Sequence, residues 1–223
     1  KQKMLKSVYQ NGGFWVGRYE AGILENRTAS GTATTTPLSK ENLYPYTCVT
    51  RTQAKVLAEQ VEAGSYTSSL MFGVQWDLVL KYIETKGNVN STDLTSDSTE
   101  KGNYSNNQWN ITNTKAKYSA DSGSNFTICP CPYEKTTTSQ LLTTGASESF
   151  SMMNIYDIAG NVWEWTLEKS SDANYTCVYR GGSYDAYGSS ASMRMNNDWH
   201  AGNNPRFPYF TLLTLRPDGE ELE

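Results

Sequence analysis

Asn154-Ile155-Tyr156-Asp157-Ile158-Ala159-Gly160-Asn161-Val162-Trp163-Glu164-Trp165-Thr166, followed later in the chain by Gly181-Gly182-Ser183-Tyr184, is the stretch on which the fold turns. Trp163 and Trp165 lie two apart. That is strand spacing, so both indoles share one face and Glu164 takes the other. Gly160-Asn161 favours a tight turn with positive φ. Gly181-Gly182 lets the chain pass where a Cβ would clash. These residues suit a scaffold. The segment that follows, Asp185 to Asn204, mixes Asp, Tyr, Ser, Asn, Met, Trp and His in no regular period.

Length and composition set the bounds. The chain has 223 residues, ample for one packed domain, and we read it as one. Hydrophobic residues make up 37%, with 15 Tyr and 6 Trp carrying much of the buried area. That balance points to a loop-rich fold with aromatic anchors, not a helical bundle. Net charge is −4 and no basic run exists, which argues against nucleic acid as a partner. No stretch approaches the length of a membrane span, so membrane insertion is not expected. His200 is the only His, which excludes His-rich metal sites. The four Cys (Cys48, Cys129, Cys131, Cys177) read as free thiols. A Cys48–Cys177 bridge stays open as the alternative, and Cys129-Pro-Cys131 fits no zinc spacing. The chain opens on Lys1, which reads as a processed product or the C-terminal part of a longer protein.

Around the central stretch, Gly12 to Ala21 alternates as a strand would, with an Arg18–Glu20 pair on one face. Residues 22–46 read as loop. Thr50 caps a helix over 51–62, with Ala54, Leu57, Ala58 and Val61 inward and Gly64 at its end. Ser68 or Ser69 caps a second helix, with Val74, Leu78 and Tyr82 on its apolar stripe and Trp76, Val79, Leu80 and Ile83 widening it. Gly87 closes it. These two are the expected helices. Residues 88–151 are polar and read as an irregular excursion pinned by Trp109, Ile111, Tyr118 and Phe126, without a core of its own. Strands are expected at 161–166, 176–180 and 209–215.

Taken together, Asn154 to Trp165, Arg180-Gly181-Gly182-Ser183-Tyr184 and Phe14-Trp15-Val16-Gly17-Arg18-Tyr19-Glu20-Ala21 strongly resemble the formylglycine-generating enzyme (sulfatase-modifying factor) domain family. The helix at Thr50 and Phe72-Gly73-Val74-Gln75-Trp76-Asp77 fit the family's order. The likeness spans nearly the whole chain, least in 88–151. It implies an α+β, C-type-lectin-like fold with a small twisted antiparallel sheet, two helices and extensive loops. The family's oxidases carry a Cys pair after Gly-Gly-Ser, where a thiolate binds copper and activates oxygen. Here Tyr184 to Arg194 holds no Cys, and Cys177 lies before the glycines. The ergothioneine-type relatives need His clusters, which one His cannot supply. No catalytic residue is therefore assigned, and the chain reads as a non-enzyme.

The segment after the glycines instead resembles the variable proteins of diversity-generating retroelements, which display a mutable surface on this fold. Randomised adenines turn Asn codons into Tyr, Asp, Ser, Ala, Gly or His. Asp185, Ala186, Tyr187, Ser189, Ser190, Asn196, Asn197, Asp198, His200, Asn203 and Asn204 are all permitted types. Met193, Met195 and Trp199 are not reachable from an Asn codon, yet sit in the same segment. Tyr and Trp give rigid contact area and Ser, Asn and Gly adapt, so these fourteen residues form the expected contact surface within a variable region at 180–216. Tyr187 and Trp199 are its anchors. The Gly-Phe-Arg that closes other family members is replaced by Arg206-Phe207-Pro208-Tyr209-Phe210-Thr211-Leu212.

The resemblance implies a receptor-recognition domain of a phage tail or bacterial surface protein, binding a protein or glycan on a host or competitor cell. A formylglycine-generating-type oxidoreductase with a non-standard site and a purely structural virion or surface domain are the alternatives. Some relatives bind Ca²⁺ around Gly-Asn-x-Trp-Glu, which makes Glu164 a candidate ligand. The simpler reading is a buried Glu164 satisfied by backbone N–H groups or by Arg180.

Overall fold

The computed structural model describes residues 2–61, 66–98, 100–197 and 210–214. It opens with α1 (Gln2–Asn11), a helix the sequence did not announce, and β1 (Trp15–Val16). The strand expected over Gly12 to Ala21 is cut to those two residues. Its later backbone groups have other partners. Ser39 Oγ accepts from the Tyr19 N–H (3.0 Å) and donates to the Tyr19 carbonyl (2.9 Å), and the Arg18 carbonyl accepts from the Tyr156 N–H at 2.8 Å. Arg18 is exposed whereas Glu20 is fully buried, and no Arg18–Glu20 pair occurs among the described ion pairs. Within the expected loop, β2 (Gly22–Ile23) pairs with β3 (Tyr44–Pro45).

Helix α2 (Arg51–Glu59) starts where expected. Thr50 and Gln53 form a reciprocal capping box, and Ala54, Leu57 and Ala58 are buried on one face. The helix ends earlier than expected, at a Gln60 cap, and Gly64 lies outside the described residues.

Ser68 and Ser69 cap nothing. They sit inside β4 (Tyr66–Leu70), and α3 (Gly73–Lys86) starts after it. The Gln75 side chain reaches back to accept the Phe72 N–H at 2.9 Å, a service the Phe72 side chain cannot provide. Gly87 closes α3 as expected. The buried face is Trp76, Val79, Leu80 and Ile83, while Val74, Leu78 and Tyr82 are exposed by 41%, 46% and 50%. Both sets have helical spacing, and the bulkier one takes the interior because it removes more apolar surface from water.

The polar excursion has more order than its composition suggests. It holds α4 (Ser91–Thr95), β5 (Trp109–Ile111), β6 (Lys117–Ser119), β7 (Thr127–Ile128), β8 (Tyr133–Lys135), β9 (Leu141–Leu142) and a 3₁₀ turn at Glu148–Phe150. The expectation that it lacks a core is corrected. Trp109, Ile111, Ala116, Cys129, Leu142, Ala146 and Phe150 form a buried cluster of their own. Lys135 is fully buried, donating to the carbonyls of Tyr104, Asn107 and Thr136 at 2.7, 2.8 and 3.1 Å. Burial lowers its pKa to about 8.

Beyond it, β10 (Glu164–Lys169), β11 (Cys177–Arg180) and β12 (Arg194–Asn197) make an antiparallel sheet in that order. The last described strand, β13 (Phe210–Thr214), lies between β1 and β4. The architecture is thus α+β, with short antiparallel sheets and few helices. One core packs Trp163, Trp165, Cys177 and Tyr179 against α2, Tyr46 and Leu70, and a second packs α3 against Leu94, Tyr104, Met152, Ile158 and Ala191. All four cysteines are free thiols, so Cys48 and Cys177 are not bridged. No helix among the described residues is long and apolar enough to cross a membrane.

Candidate functional site

The frame of the site is the stretch quoted first. Gly160 and Asn161 both adopt positive φ, 73° and 57°. Asn161 then acts as a hub. Its Nδ2 donates to Glu20 Oε1 and to the Leu142 carbonyl at 3.1 Å. Its Oδ1 accepts from the Leu142 N–H (3.0 Å) and from Asn103 Nδ2 (2.9 Å). The indoles of Trp163 and Trp165 enter one core, and Trp165 Nε1 donates to the Val49 carbonyl at 3.1 Å. Glu164 alternates away from them, as the spacing requires, but it is also fully buried.

At the paired glycines both φ values are positive, 88° and 85°. A Cβ on Gly181 would stand 2.3 Å from Glu164 Oε2, and one on Gly182 would stand 2.5 Å from Ser189 Oγ and 2.6 Å from the Tyr104 ring. The glycines therefore make room for side chains. The Gly181 carbonyl accepts from the Tyr104 hydroxyl (2.6 Å) and the Gly160 N–H (2.9 Å), which locks the turn to the frame.

The segment beyond divides into held and presented residues. Ser183, Tyr184, Ser189, Ser190 and Ala191 are buried. Backbone bonds pin them. The Ser189 carbonyl accepts from the Ser98 N–H (2.9 Å), and the Ser192 N–H donates to the Leu94 carbonyl (2.8 Å). The Ala191 carbonyl accepts from Trp76 Nε1 at 2.9 Å, and the Ala186 carbonyl takes both the N–H and the hydroxyl of Ser105 at 3.0 and 2.7 Å. Among the expected contact residues, Asp185, Tyr187, Met195 and Asn196 are exposed, Tyr187 by 79%. Ala186 and Met193 are half-buried. Ser189 and Ser190 face inward and offer a partner no surface. Asn197 ends β12, paired with Cys177. Asp198, Trp199, His200, Asn203 and Asn204 lie outside the described residues.

Beside β12 lies a charged network that sequence reasoning missed. Arg180 is 1% exposed and donates to Asp77 and, at 3.0 Å, to Glu168. Arg194 holds the same two acids, at 3.3 Å to Asp77 and 2.6 Å to Glu168. Arg180 and Arg194 are brought side by side by the register of β11 and β12, which the sequence does not display. Planar guanidinium groups suit such shared carboxylates.

That network takes Arg180 away from Glu164. The simpler reading of Glu164 is corrected, because neither of its oxygens has a hydrogen-bond partner among the described residues. Burial, with Glu20 and Asp157 adding repulsion, raises its pKa well above the usual carboxylate range. Burial and the Asp157 charge do the same to Glu20, and burial carries Asp157 to about 7. A calcium ion takes six to eight oxygens. Among the described residues no three His, Cys, Asp or Glu side chains converge on a metal, and the Asn161 amide is already spent. The described side chains do not by themselves make a calcium cage. An ion at Glu164 would rest on backbone carbonyls.

This α+β frame with its paired-glycine turn defines the class. Residues 18–208 match the sulfatase-modifying factor enzyme 1-like domain, and the chain belongs to that family. Two solved structures are similar. "Crystal Structure of CarF" is 15% identical over 89% of this chain and 85% of that one, with a TM-score of 0.49. Treponema denticola variable protein 1 is 14% identical over 90% and 84%, with a TM-score of 0.46. Comparison with curated proteins gives no significant match.

Proposed function

We propose that this chain is a non-enzymatic display domain, in which the segment after Gly181-Gly182 forms a diversified surface for a protein or glycan ligand. We place it on a phage tail or bacterial surface protein. One observation carries the reading. Tyr187, 79% exposed, sits on a loop whose flanks are held by buried backbone bonds, a rigid aromatic anchor on a fixed support. Asp185, Met195 and Asn196 are presented with it. The same segment lacks the thiol that the family's oxidative chemistry needs.

Sequencing the locus tests this directly. The expected result is a near-copy of the codons for 180–216, differing only at adenines and lying beside a reverse transcriptase. Sister sequences without clustered substitutions at the exposed positions would overturn the reading. The display role also requires Tyr187 to matter for contact and not for folding. Tyr187→Ala should move the urea midpoint by no more than about 0.5 kcal/mol equivalent, as exposed positions do.

Membership of a family with oxidases favours one rival, a copper-dependent oxidoreductase using another site. Thiol-dependent copper binding together with oxygen consumption on a Cys-containing sulfatase peptide would support that rival. We expect neither.

A further inference from the structure

Between the start of α3 and the β10–β12 sheet runs a groove of about 540 Å³. Phe72, Val74 and Leu167 give it apolar walls, and Asp77, Lys169 and Arg194 stand at its polar side. Both acids here are already engaged. Asp77 and Glu168 each receive Arg180 and Arg194. Arg194 uses Nε and Nη2 for those bonds, and its Nη1 has no partner among the described residues. Lys169 is exposed and pairs with no acid among them. The network itself sums to zero charge, so Lys169 leaves the groove one positive charge in excess on a chain whose net charge is −4. Asp77 and Glu168 already carry two guanidinium contacts each, whereas, among the described residues, Arg194 Nη1 and the Lys169 ammonium are uncommitted donors beside the apolar surface. Arg180, buried and stacked within 5.9 Å of the Trp76 ring, fixes the acids that fix Arg194, so the donor is preorganised.

We propose that this groove is a second docking surface, for a protein segment presenting a carboxylate beside an apolar side chain. The apolar group lies against Val74, Phe72 and Leu167, and the carboxylate accepts from Arg194 Nη1 and Lys169. The groove shares Arg194 with β12, so it is continuous with the presented face. It rests on the display reading only in taking its partner to be a protein. Apart from Arg194, its lining belongs to the frame and not to the segment after the glycines, since Phe72, Val74, Leu167 and Lys169 precede them. The apolar walls and Lys169 are therefore common to every version of the display surface.

The test pans a random peptide display library on the immobilised full chain. A labelled winner is then measured by fluorescence polarisation. Winners should carry Asp or Glu next to a large apolar residue. Lys169→Gln should weaken binding about two- to fivefold, the usual worth of an exposed ion pair, and flatten its salt dependence. Val74→Asp should abolish binding, and replacing the peptide acid by its amide should reproduce Lys169→Gln. Circular dichroism of both variants checks folding. Winners without an acid, winners indifferent to both variants, or no winners at all would overturn the groove. If a winner loses binding with Tyr187→Ala but not with Lys169→Gln, it sits on the presented loop, which refutes the groove and leaves the display reading standing.

Discussion

Gly160→Ala is expected to cost well over about 4 kcal/mol, the far end of what one substitution does. Two separate terms add. Gly160 has φ of +73°, and an L-residue in the left-handed region costs about 1–2 kcal/mol. Beyond that, a Cβ there would stand 2.3, 2.6 and 2.7 Å from the carbonyl oxygen, carbonyl carbon and amide nitrogen of Asn103. Those are backbone atoms that cannot swing aside. The Asn103 carbonyl also accepts the Asn161 N–H at 2.9 Å, so a shift that relieves the clash breaks the turn. Gly12→Ala isolates the first term, because Gly12 has φ of +77° and nothing within 4 Å of its would-be Cβ. Urea denaturation of both variants gives the comparison. Equal midpoints would show that Gly160 is not pressed against Asn103.

Glu164→Gln is expected to stabilise the protein at pH 8, by about 1–2 kcal/mol after allowing for an imperfectly bonded buried amide. The sign follows from linkage. Glu20, Asp157 and Glu164 have folded-state pKa values raised chiefly by burial, so the folded chain holds protons that the unfolded chain has released. Their stabilising contribution is complete below about pH 4, where both states are protonated, and it is lost as pH rises through the folded values. Asp157 alone opens that window up to about 7. Each proton so held sets a slope of about 1.4 kcal/mol per pH unit. The substitution removes one such group, so the variant's stability should fall less steeply as pH rises above about 4. A calcium ion on Glu164 would reverse the result. Glu164→Gln would then lower the melting temperature, a chelator would do the same to the parent, and added calcium would rescue the parent only.

Where the sequence could be read, one residue pattern had one structural outcome. The Trp163-Glu164-Trp165 alternation, the Thr50–Gln53 capping box and the glycine turns are local devices set by neighbouring residues. The failures are cases of tertiary choice. The α3 stripe of Val74, Leu78 and Tyr82 satisfies helical periodicity as well as the true inner face does, and only packing chooses. Gly12 to Ala21 alternates like a strand, but Ser39 and Tyr156 take its hydrogen bonds from far along the chain. The polar excursion hides its core because Trp109, Ile111, Cys129, Leu142 and Phe150 are scattered over some forty residues of polar sequence.

The same division governs the site. Asp185, Tyr187, Met195 and Asn196 are exposed and so open to a partner. Ser189 and Ser190 have residue types equally at home on a surface, and nothing local reveals that Ser189 packs against Gly182. The Asp77–Arg180–Glu168–Arg194 network joins residues up to 117 positions apart. No local pattern announces it.

The way the presented loop is held bears on its inheritance. Its clamps are main-chain groups: the carbonyls of Ala186, Ser189 and Ala191 and the amide of Ser192. The partners lie on Ser98, Ser105, Trp76 and Leu94, outside the loop. Codon changes at Asp185 or Tyr187 leave every one of those clamps in place. A lineage can therefore rewrite the chemistry of this surface one residue at a time without first re-solving its geometry. On the proposed display role, robustness to mutation and openness to new specificity come from the same few peptide groups.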